Sequence, residues 1–267
     1  MSLVIEIDDP GDPRVDDFRD LSAADRRPDR PGGRGLVIAE GVVVVQRLLA
    51  SAYPVRALLG VARRIESLHE ELAALDAPVY VATAEVMAQV VGFHLNRGVL
   101  AVADRAPRPR PAELAAAGRL LAVLEGVGDH ENLGSIFRNA AALGVSGVLL
   151  GPGCSDPLYR RSVRVSMGHV LRVPFTELPD LHDGLDLLRD NGFRVLALTP
   201  RPTATPLRKI PPGGKSAVLL GSEGHGLTER ALAAADELVR IPMTTGVDSL
   251  NVATAAAVAF HALGEGE

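Results

Sequence analysis

Residues 120–150 read LLAVLEGVGDHENLGSIFRNAAALGVSGVLL, and this stretch decides the fold. The apolar run Leu120–Leu124 predicts a buried strand, Asn132–Leu143 a helix that ends at Gly144, and Val145–Leu150 a second strand. A strand, a helix and a further strand in this order form a βαβ unit, whose two strands are parallel. Because parallel sheets are covered by helices on both faces, the stretch predicts an α/β domain.

The same alternation continues toward the C-terminus. It predicts strands at Phe193–Leu198, Ala217–Leu220 and Glu237–Ile241, and helices at Leu181–Asp190 and Leu250–Leu263. Because the pattern is not interrupted, we expect one parallel-sheet domain over residues 118–267.

A smaller α/β unit is expected to precede this domain, over residues 35–104. Its predicted strands are Leu36–Gly41, Val55–Leu59, Val79–Ala82 and Gly98–Ala103, and its predicted helices are Val42–Ser51, Arg64–Leu75 and Thr83–Val91. The alternating prolines of Arg105–Pro111 disfavour a helix, so residues 105–117 are expected to form an extended linker. Residues 1–34 are rich in Asp, Arg, Pro and Gly and predict an extended, poorly packed arm.

Composition limits the classes of function. The chain has 267 residues, 47% of them hydrophobic, and a formal net charge of −5, so any surface that binds nucleic acid must be local. Cys154 is the only cysteine, which leaves neither a disulfide nor a cysteine-rich zinc site, and we expect no metal. No apolar run reaches the roughly 18 residues of a membrane span, and the N-terminus is acidic, so we expect a cytoplasmic protein.

Three polar or Gly-rich loops follow predicted strands, at the position where open parallel sheets bind ligands. These loops are Glu125–Gly134, Leu220–Leu227 and Ile241–Ala253. The first runs into a helix on which Arg138 lies off the apolar stripe. Arg138 is therefore available to a functional site, although an ordinary exposed helical arginine would have the same pattern.

The residues of these loops do not fit two common kinds of site, a dinucleotide-binding site and a hydrolase triad. The second loop has the spacing G-x-x-G-x-G, which does not fit a dinucleotide-binding fingerprint. In the third loop Asp248 or Ser249 is a natural helix cap, which leaves Asn251 unexplained one turn inside an apolar helix. Ser249 lacks the G-x-S-x-G elbow of a hydrolase, and no histidine completes a convincing catalytic triad.

Taken together, the three loops resemble the motifs of the SpoU (TrmH-like) family of the SPOUT superfamily, which are RNA ribose 2'-O-methyltransferases. Glu125–Arg138 resembles the first motif, Leu220–Leu227 the second, and Ile241–Val252 the third. Thr245 stands where many relatives have glycine, which is a departure from the family pattern in the third loop. The resemblance implies an α/β C-terminal domain with a deep trefoil knot and a homodimer whose active site is completed across the interface.

The resemblance also implies roles for individual residues. S-adenosylmethionine is expected to bind in the knotted loops, in contact with Leu198, Thr199, Gly221, Ile241, Met243 and Leu250. We hypothesise that Arg138 serves the cofactor of the partner subunit, where it orients and helps deprotonate the ribose 2'-hydroxyl or stabilises the developing alkoxide. Four residues are expected to hold Arg138 and the ribose, and these are Asn132, Glu223, Ser249 and Asn251.

The N-terminal unit is similar to the family's small, ribosomal-protein-like substrate-binding domain, on the segments Ala39–Gly41 and Arg97–Ala101. That similarity favours ribosomal RNA over transfer RNA as the substrate. The arginines expected to contact RNA are Arg105, Arg108, Arg160, Arg161 and Arg164. The last three form a cluster in sequence with Arg172, and part of this cluster is expected to contact RNA phosphates. For Arg105 and Arg108 a solvated linker remains an open alternative, and for the later cluster solvated surface or structural ion pairing does.

The expected function is therefore S-adenosylmethionine-dependent 2'-O-methylation of ribosomal RNA. A transfer RNA methyltransferase, an antibiotic-resistance methyltransferase and a non-catalytic RNA-binding or ribosome-assembly protein are the alternatives that the sequence leaves open.

Overall fold

The structure, a computed structural model, describes residues 4–21, 35–244 and 246–264. The strands are β1 Val4–Glu6, β2 Val37–Glu40, β3 Val55–Gly60, β4 Val79–Val81, β5 Val99–Ala103, β6 Leu120–Leu124, β7 Gly147–Leu150, β8 Phe175–Glu177, β9 Arg194–Leu198, β10 Thr205–Pro206, β11 Ser216–Leu220 and β12 Glu237–Arg240. The α-helices are α1 Val42–Leu49, α2 Ala62–Glu66, α3 His69–Leu72, α4 Ala84–Val91, α5 Pro111–Ala117, α6 His130–Ala142, α7 Arg160–Val165, α8 Leu181–Asp190, α9 Glu229–Ala233 and α10 Val252–Leu263.

The described residues form two compact units. Unit 1 contains the residues up to Pro107 together with Asp156–Arg172, and unit 2 contains Arg108–Ser155 and the residues from Val173 onward. Unit 1 therefore takes in a segment, residues 156–172, that the sequence pattern assigns to the parallel-sheet domain of residues 118–267. α7, which this segment contains, packs against β2.

Unit 1 is built around a five-stranded mixed sheet with the order β1-β4-β3-β5-β2. β5 is antiparallel to both β2 and β3, whereas β4 is parallel to β1 and β3. The predicted helix over Arg64–Leu75 is interrupted, because α2 ends at Glu66 and α3 begins at His69. The small α/β character predicted for this half of the chain is confirmed.

The expectation of a poorly packed arm at the N-terminus is wrong for residues 4–21. β1 pairs with β4, and Val15 and Phe18, which lie on a 3-10 helix at Pro13–Phe18, are fully buried. Their burial in the unit 1 core outweighs the high local content of Asp, Arg and Pro, which suggested an unpacked segment. The rest of the predicted arm, residues 1–3 and 22–34, lies outside the described residues.

The expected linker, residues 105–117, is also partly wrong, because α5 occupies its second half. Pro111 is the first residue of this helix, a position where a missing N–H is no disadvantage. Glu113 accepts a hydrogen bond from the backbone N–H of Arg110 at 2.8 Å, which closes the first turn. Leu114 and Ala115 are buried in the core of unit 2, so this helix belongs to the α/β domain.

Unit 2 is built around a seven-stranded sheet with the order β10-β12-β9-β11-β6-β7-β8, and every pair in it is parallel. The predicted parallel α/β domain is confirmed. β12, β9, β11 and β6 are consecutive neighbours, so the loops that follow these strands meet at one edge of the sheet. The three polar loops and Thr199, which follows β9, are therefore brought together by topology.

Candidate active site

A cleft of about 420 Å³ lies at this edge of the unit 2 sheet. Its volume is within the range of about 300–1,000 Å³ typical of small-molecule sites. All six residues that the sequence assigned to the cofactor line it, and these are Leu198, Thr199, Gly221, Ile241, Met243 and Leu250. Glu223, Ser249 and Asn251, three of the predicted catalytic residues, line the same cleft.

Gly221 is required by the close approach of two backbone segments. A Cβ atom at this position would lie 2.2 Å from the carbonyl carbon of Gly226 and 2.3 Å from the nitrogen of Leu227. The loop turns back on itself, with Ser222 and Gly226 forming an isolated antiparallel bridge. This compact turn places the backbone of residues 221–227 along the cleft wall.

Asn132, in the first turn of α6, connects all three polar loops. Its Nδ2 atom donates to Oε2 of Glu223 at 2.7 Å, and its Oδ1 atom accepts from Nδ2 of Asn251 at 2.7 Å. Asn251 also donates to Oε1 of Glu223 at 3.3 Å. Because both ends of the Asn132 amide are occupied and the residue is only 8% exposed, Asn132 positions the loops.

Asn251 is the N-cap of α10. Its Oδ1 atom accepts from the backbone N–H groups of Ala253 at 2.9 Å and Thr254 at 3.2 Å. The expectation that Asp248 or Ser249 caps the helix, with Asn251 one turn inside it, is therefore wrong. The helix begins later because Asn251 can cap it and bind Asn132 at the same time.

Two further sets of hydrogen bonds at this edge of the sheet were not predicted from the sequence. The carboxylate of Glu125 accepts from the backbone N–H and the hydroxyl of Thr228, both at 2.9 Å. Asp129 caps α6 by accepting from the backbone N–H groups of Glu131 and Asn132. The second set had a signal in the sequence, since an aspartate preceding an amphipathic helix is a typical cap.

A sequence profile of the SpoU rRNA Methylase family matches residues 119–261. This range contains the three polar loops and the hydrogen bonds between them. The chain belongs to the SpoU rRNA methylase family. The resemblance inferred from the sequence motifs is thereby confirmed.

Similar proteins agree with this membership. An uncharacterized tRNA/rRNA methyltransferase of Mycobacterium tuberculosis is 57% identical over 261 residues, which cover 97% of this chain and 91% of the relative. An uncharacterized tRNA/rRNA methyltransferase of Synechocystis is 34% identical over 199 residues, covering 73% and 70%. The structure of an AdoMet-bound rRNA methyltransferase from Sinorhizobium meliloti has a TM-score of 0.82 and 25% identity, with 97% of each chain covered.

Arg138, the SpoU-motif arginine on α6, does not line the cleft. Its side chain is exposed. The apolar stripe predicted for this helix is buried at Leu133, Ile136 and Phe137, which turns Arg138 outward. Within a single chain, the cleft and this guanidinium are therefore separate features.

The predicted RNA-binding arginines do not form a single free surface. Arg105 pairs with Asp156 and Arg108 pairs with Glu177, with side-chain exposures of 28% and 24%. The guanidinium of Arg108 also lies 4.8 Å from the ring centroid of Phe175. Both arginines therefore form ion pairs, whereas the alternative to RNA contact that the sequence left open for them was a solvated linker.

Arg160 is held in a similar way within unit 1. Its Nη1 atom lies 3.7 Å from Oε2 of Glu40, whose side chain is 8% exposed, and its guanidinium stacks 4.6 Å from the ring centroid of Phe93. Burial lowers the pKa of Arg160, and the charge of Glu40 opposes that shift. The remaining members of the cluster differ, since Arg161 and Arg172 are exposed and Arg164 is half-buried.

Among the residues that the structure describes, no group of three His, Cys, Asp or Glu side chains could hold a metal ion. Burial raises the pKa of the Cys154 thiol, whose Sγ atom contacts the carbonyl oxygen of Leu124.

Thr245, the position of the expected departure from the family pattern, lies outside the described residues. Within the described ranges no helix is long and apolar enough to cross a bilayer.

Proposed function

We propose that this chain is an S-adenosylmethionine-dependent RNA methyltransferase that transfers a methyl group to a ribose 2'-hydroxyl of ribosomal RNA. The observation that carries the proposal is the gathering of all six expected cofactor residues around one cleft, beside the bonded set Asn132, Glu223 and Asn251. Family membership and the tRNA/rRNA methyltransferase relative, which covers 97% of the chain, support the RNA methyltransferase activity.

The cleft fits the proposed cofactor. Leu198, Ile241, Met243 and Leu250 provide apolar surface suited to an adenine ring, and the glycine-containing turn at residues 221–227 offers backbone polar groups. The AdoMet-bound neighbour, similar over 97% of its length, supports the same ligand. When bound, S-adenosylmethionine supplies an electrophilic methyl group on a positively charged sulfur.

The protein's own contribution is alignment and removal of a proton. A ribose hydroxyl has a pKa far above 7, so it must lose its proton as the methyl group is transferred. Arg138 is assigned to orient the 2'-hydroxyl and help deprotonate it, or to stabilise the developing negative oxygen while the proton passes to solvent. Asn132, Glu223 and Asn251 hold the loops in register, and Ser249 lies on the cleft wall where it can contact the ribose.

A second subunit brings Arg138 to the reaction in this proposal. Because Arg138 is exposed and does not line the cleft of its own chain, it is available to the cleft of a partner. The trefoil knot and the homodimer expected from the family are parts of the same proposal. Unit 1, including residues 156–172, is assigned to recognition of RNA.

The test is transfer of labelled methyl groups from S-adenosylmethionine to total ribosomal RNA and, in parallel, to total transfer RNA, followed by nucleoside analysis. Label in a 2'-O-methylnucleoside from ribosomal RNA is the expected result. Label only from transfer RNA would replace the substrate, and label in a methylated base would replace the chemistry. If the cofactor binds but neither RNA nor assembled ribosomal particles accept label, the protein is a binding or assembly factor.

A further inference from the structure

Arg201 is a charged residue of the cleft to which the sequence assigns no role. It follows Thr199 and Pro200 in the loop after β9, and these three residues line the cleft together. Of the described residues that line the cleft, Arg201 is the only arginine or lysine. The strongest positive charge on the cleft wall is therefore carried by this guanidinium.

Glu229, at the start of α9, fixes the orientation of this guanidinium. The Nη2 atom of Arg201 donates to Oε1 of Glu229, which also lines the cleft. The two side chains are 41% and 80% exposed, so the pair contributes little to the stability of the fold. Only Nη2 is engaged with Glu229, and a guanidinium has further N–H donors that can bind a second anion.

Other donors that line the cleft are the hydroxyls of Thr199, Ser222 and Ser249, the ring of His225 and backbone N–H groups of the turn at residues 221–227. A helix N-terminus is a common anion site, and α10 begins beside the cleft at Val252. Its N–H groups at Ala253 and Thr254 are already bonded to Asn251. At α9 the N–H of Ala231 is bonded to the hydroxyl of Thr228.

We propose that Arg201, oriented by Glu229, binds the carboxylate of the methionine moiety of S-adenosylmethionine. The inference rests on the proposed function, since it takes S-adenosylmethionine as the ligand of the cleft. Arginine is matched to this group because its planar N–H donors bind a carboxylate with two parallel hydrogen bonds. The apolar walls would receive the adenosine, and Arg201 would bind the opposite, zwitterionic end of the same molecule.

The test compares ligands that differ in this carboxylate. Dissociation constants are measured by calorimetric titration for S-adenosylmethionine, S-adenosylhomocysteine and 5'-methylthioadenosine, which lacks the amino-acid group. In the variant Arg201→Gln we expect the first two ligands to bind roughly 10-fold more weakly, because a charge-assisted hydrogen bond is lost. Binding of 5'-methylthioadenosine should stay within about twofold, because Arg201 does not contact the adenosine.

Arg208→Gln is the matched control, because it removes the same charge from an exposed position outside the cleft. Its affinity for all three ligands should equal that of the unmodified protein. Unchanged binding of S-adenosylmethionine in Arg201→Gln would overturn the inference, as would an equal loss for 5'-methylthioadenosine. Unchanged cofactor binding with weaker RNA binding would overturn it by assigning the guanidinium to an RNA phosphate.

The inference and the proposed function fail in different ways. If the unmodified protein binds none of the three ligands, the proposed function is wrong and this inference falls with it. If the unmodified protein binds S-adenosylmethionine and the Arg201→Gln variant binds it equally well, only the role of Arg201 is wrong.

Discussion

The side-chain amide of Asn251 donates a 2.7 Å hydrogen bond to the side-chain oxygen of Asn132, which lies 119 residues earlier in the chain. Asn132 in turn donates to Glu223, 91 residues further along. The loops after β6, β11 and β12 are therefore joined by side chains as well as by the sheet beneath them. A cleft built from separate loops keeps its shape only if such ties hold the loops in register.

Replacing Asn132 with aspartate should weaken this connection. The new carboxylate would face Oε2 of Glu223, which now accepts a hydrogen bond of 2.7 Å from Asn132, and two like charges would repel each other. We expect the free energy of unfolding to fall by roughly 2 kcal/mol and cofactor affinity to fall with it. Chemical denaturation and calorimetric titration with S-adenosylmethionine measure the two effects.

The double variant Asn132→Asp with Glu223→Gln provides the matched control. It restores one donor and one acceptor with a single negative charge, as in the original pair, and leaves the acceptor for Asn251 in place. More than half of the lost free energy should return. If the losses from the two single substitutions simply add, the direct contact between positions 132 and 223 does not matter for stability.

Gly221→Ala should damage the cleft through steric conflict. The new Cβ would lie 2.2 Å from a backbone carbon of Gly226, and backbone cannot move aside as a flexible side chain can. We expect a loss of roughly 3 kcal/mol in stability and a large loss of cofactor affinity. Gly192→Ala is the comparison, since Gly192 has a φ of +81° and nothing within 4 Å, and strain alone should cost about 1 kcal/mol there. Equal costs at the two positions would contradict the steric explanation.

Much of the fold could be read from local pattern. Leu120–Leu124 and Leu181–Asp190 have the predicted boundaries, because an apolar run and an amphipathic period are local properties. The order of the strands in the sheet could not be read, because it depends on pairings between distant segments. The membership of residues 156–172 in unit 1 could not be predicted for the same reason, because their packing against β2 cannot be recognised from their own sequence.

Part of the candidate site could be predicted, because polar loops that follow apolar strands are visible in the sequence. Glu223 and Asn251 lie in the loops that follow β11 and β12, their roles were expected from the family resemblance, and both line the cleft. Arg160 shows the limit of such reasoning, because a basic cluster in sequence does not reveal that Glu40 is buried beside it. Arg201 was missed because its loop carries no motif and its position in the cleft depends on the neighbouring strands.

Arg138→Ala should abolish most methyl transfer while leaving cofactor binding intact. In the proposed mechanism Arg138 acts on the ribose hydroxyl of the RNA, which is absent when S-adenosylmethionine binds alone, so removing it should not change the affinity for the cofactor. Loss of a group that stabilises a developing oxyanion typically lowers kcat by roughly 100-fold or more. Single-turnover rates with saturating RNA test this, after the oligomeric state and cofactor affinity have been measured. Near-normal turnover would remove Arg138 from the mechanism.

Arg160→Met should destabilise unit 1 without changing how salt affects RNA binding. It leaves the Glu40 carboxylate buried without its cation, which we expect to cost roughly 2–3 kcal/mol. The dependence of RNA affinity on salt concentration should be unaltered, because this guanidinium is engaged with Glu40 and Phe93. Adding Glu40→Gln should recover part of the stability by removing the unpaired charge. A smaller salt dependence with unchanged stability would instead place Arg160 on RNA.

Asp236→Asn should destabilise unit 2 in a pH-dependent manner. Burial alone would raise the pKa of Asp236, but hydrogen bonds from the Val195 N–H and from Arg189, each of 2.7 Å, lower it below its ordinary value of 3.8. A carboxylate with a lowered folded-state pKa stabilises the fold above its unfolded-state pKa, and this contribution is lost as pH falls through the folded-state pKa.

At pH 7 the Asp236→Asn variant should therefore be less stable by about 1 kcal/mol, a modest value because the pair is partly exposed. The difference should remain constant down to about pH 5 and shrink as the pH falls below 4. Denaturant titrations at pH 7, 5, 4 and 3 measure it, with Asp190→Asn as a control for loss of one exposed negative charge on the same unit. A difference that grows as the pH falls would mean that Asp236 stabilises the fold in its protonated form, contrary to the geometry of its two donors.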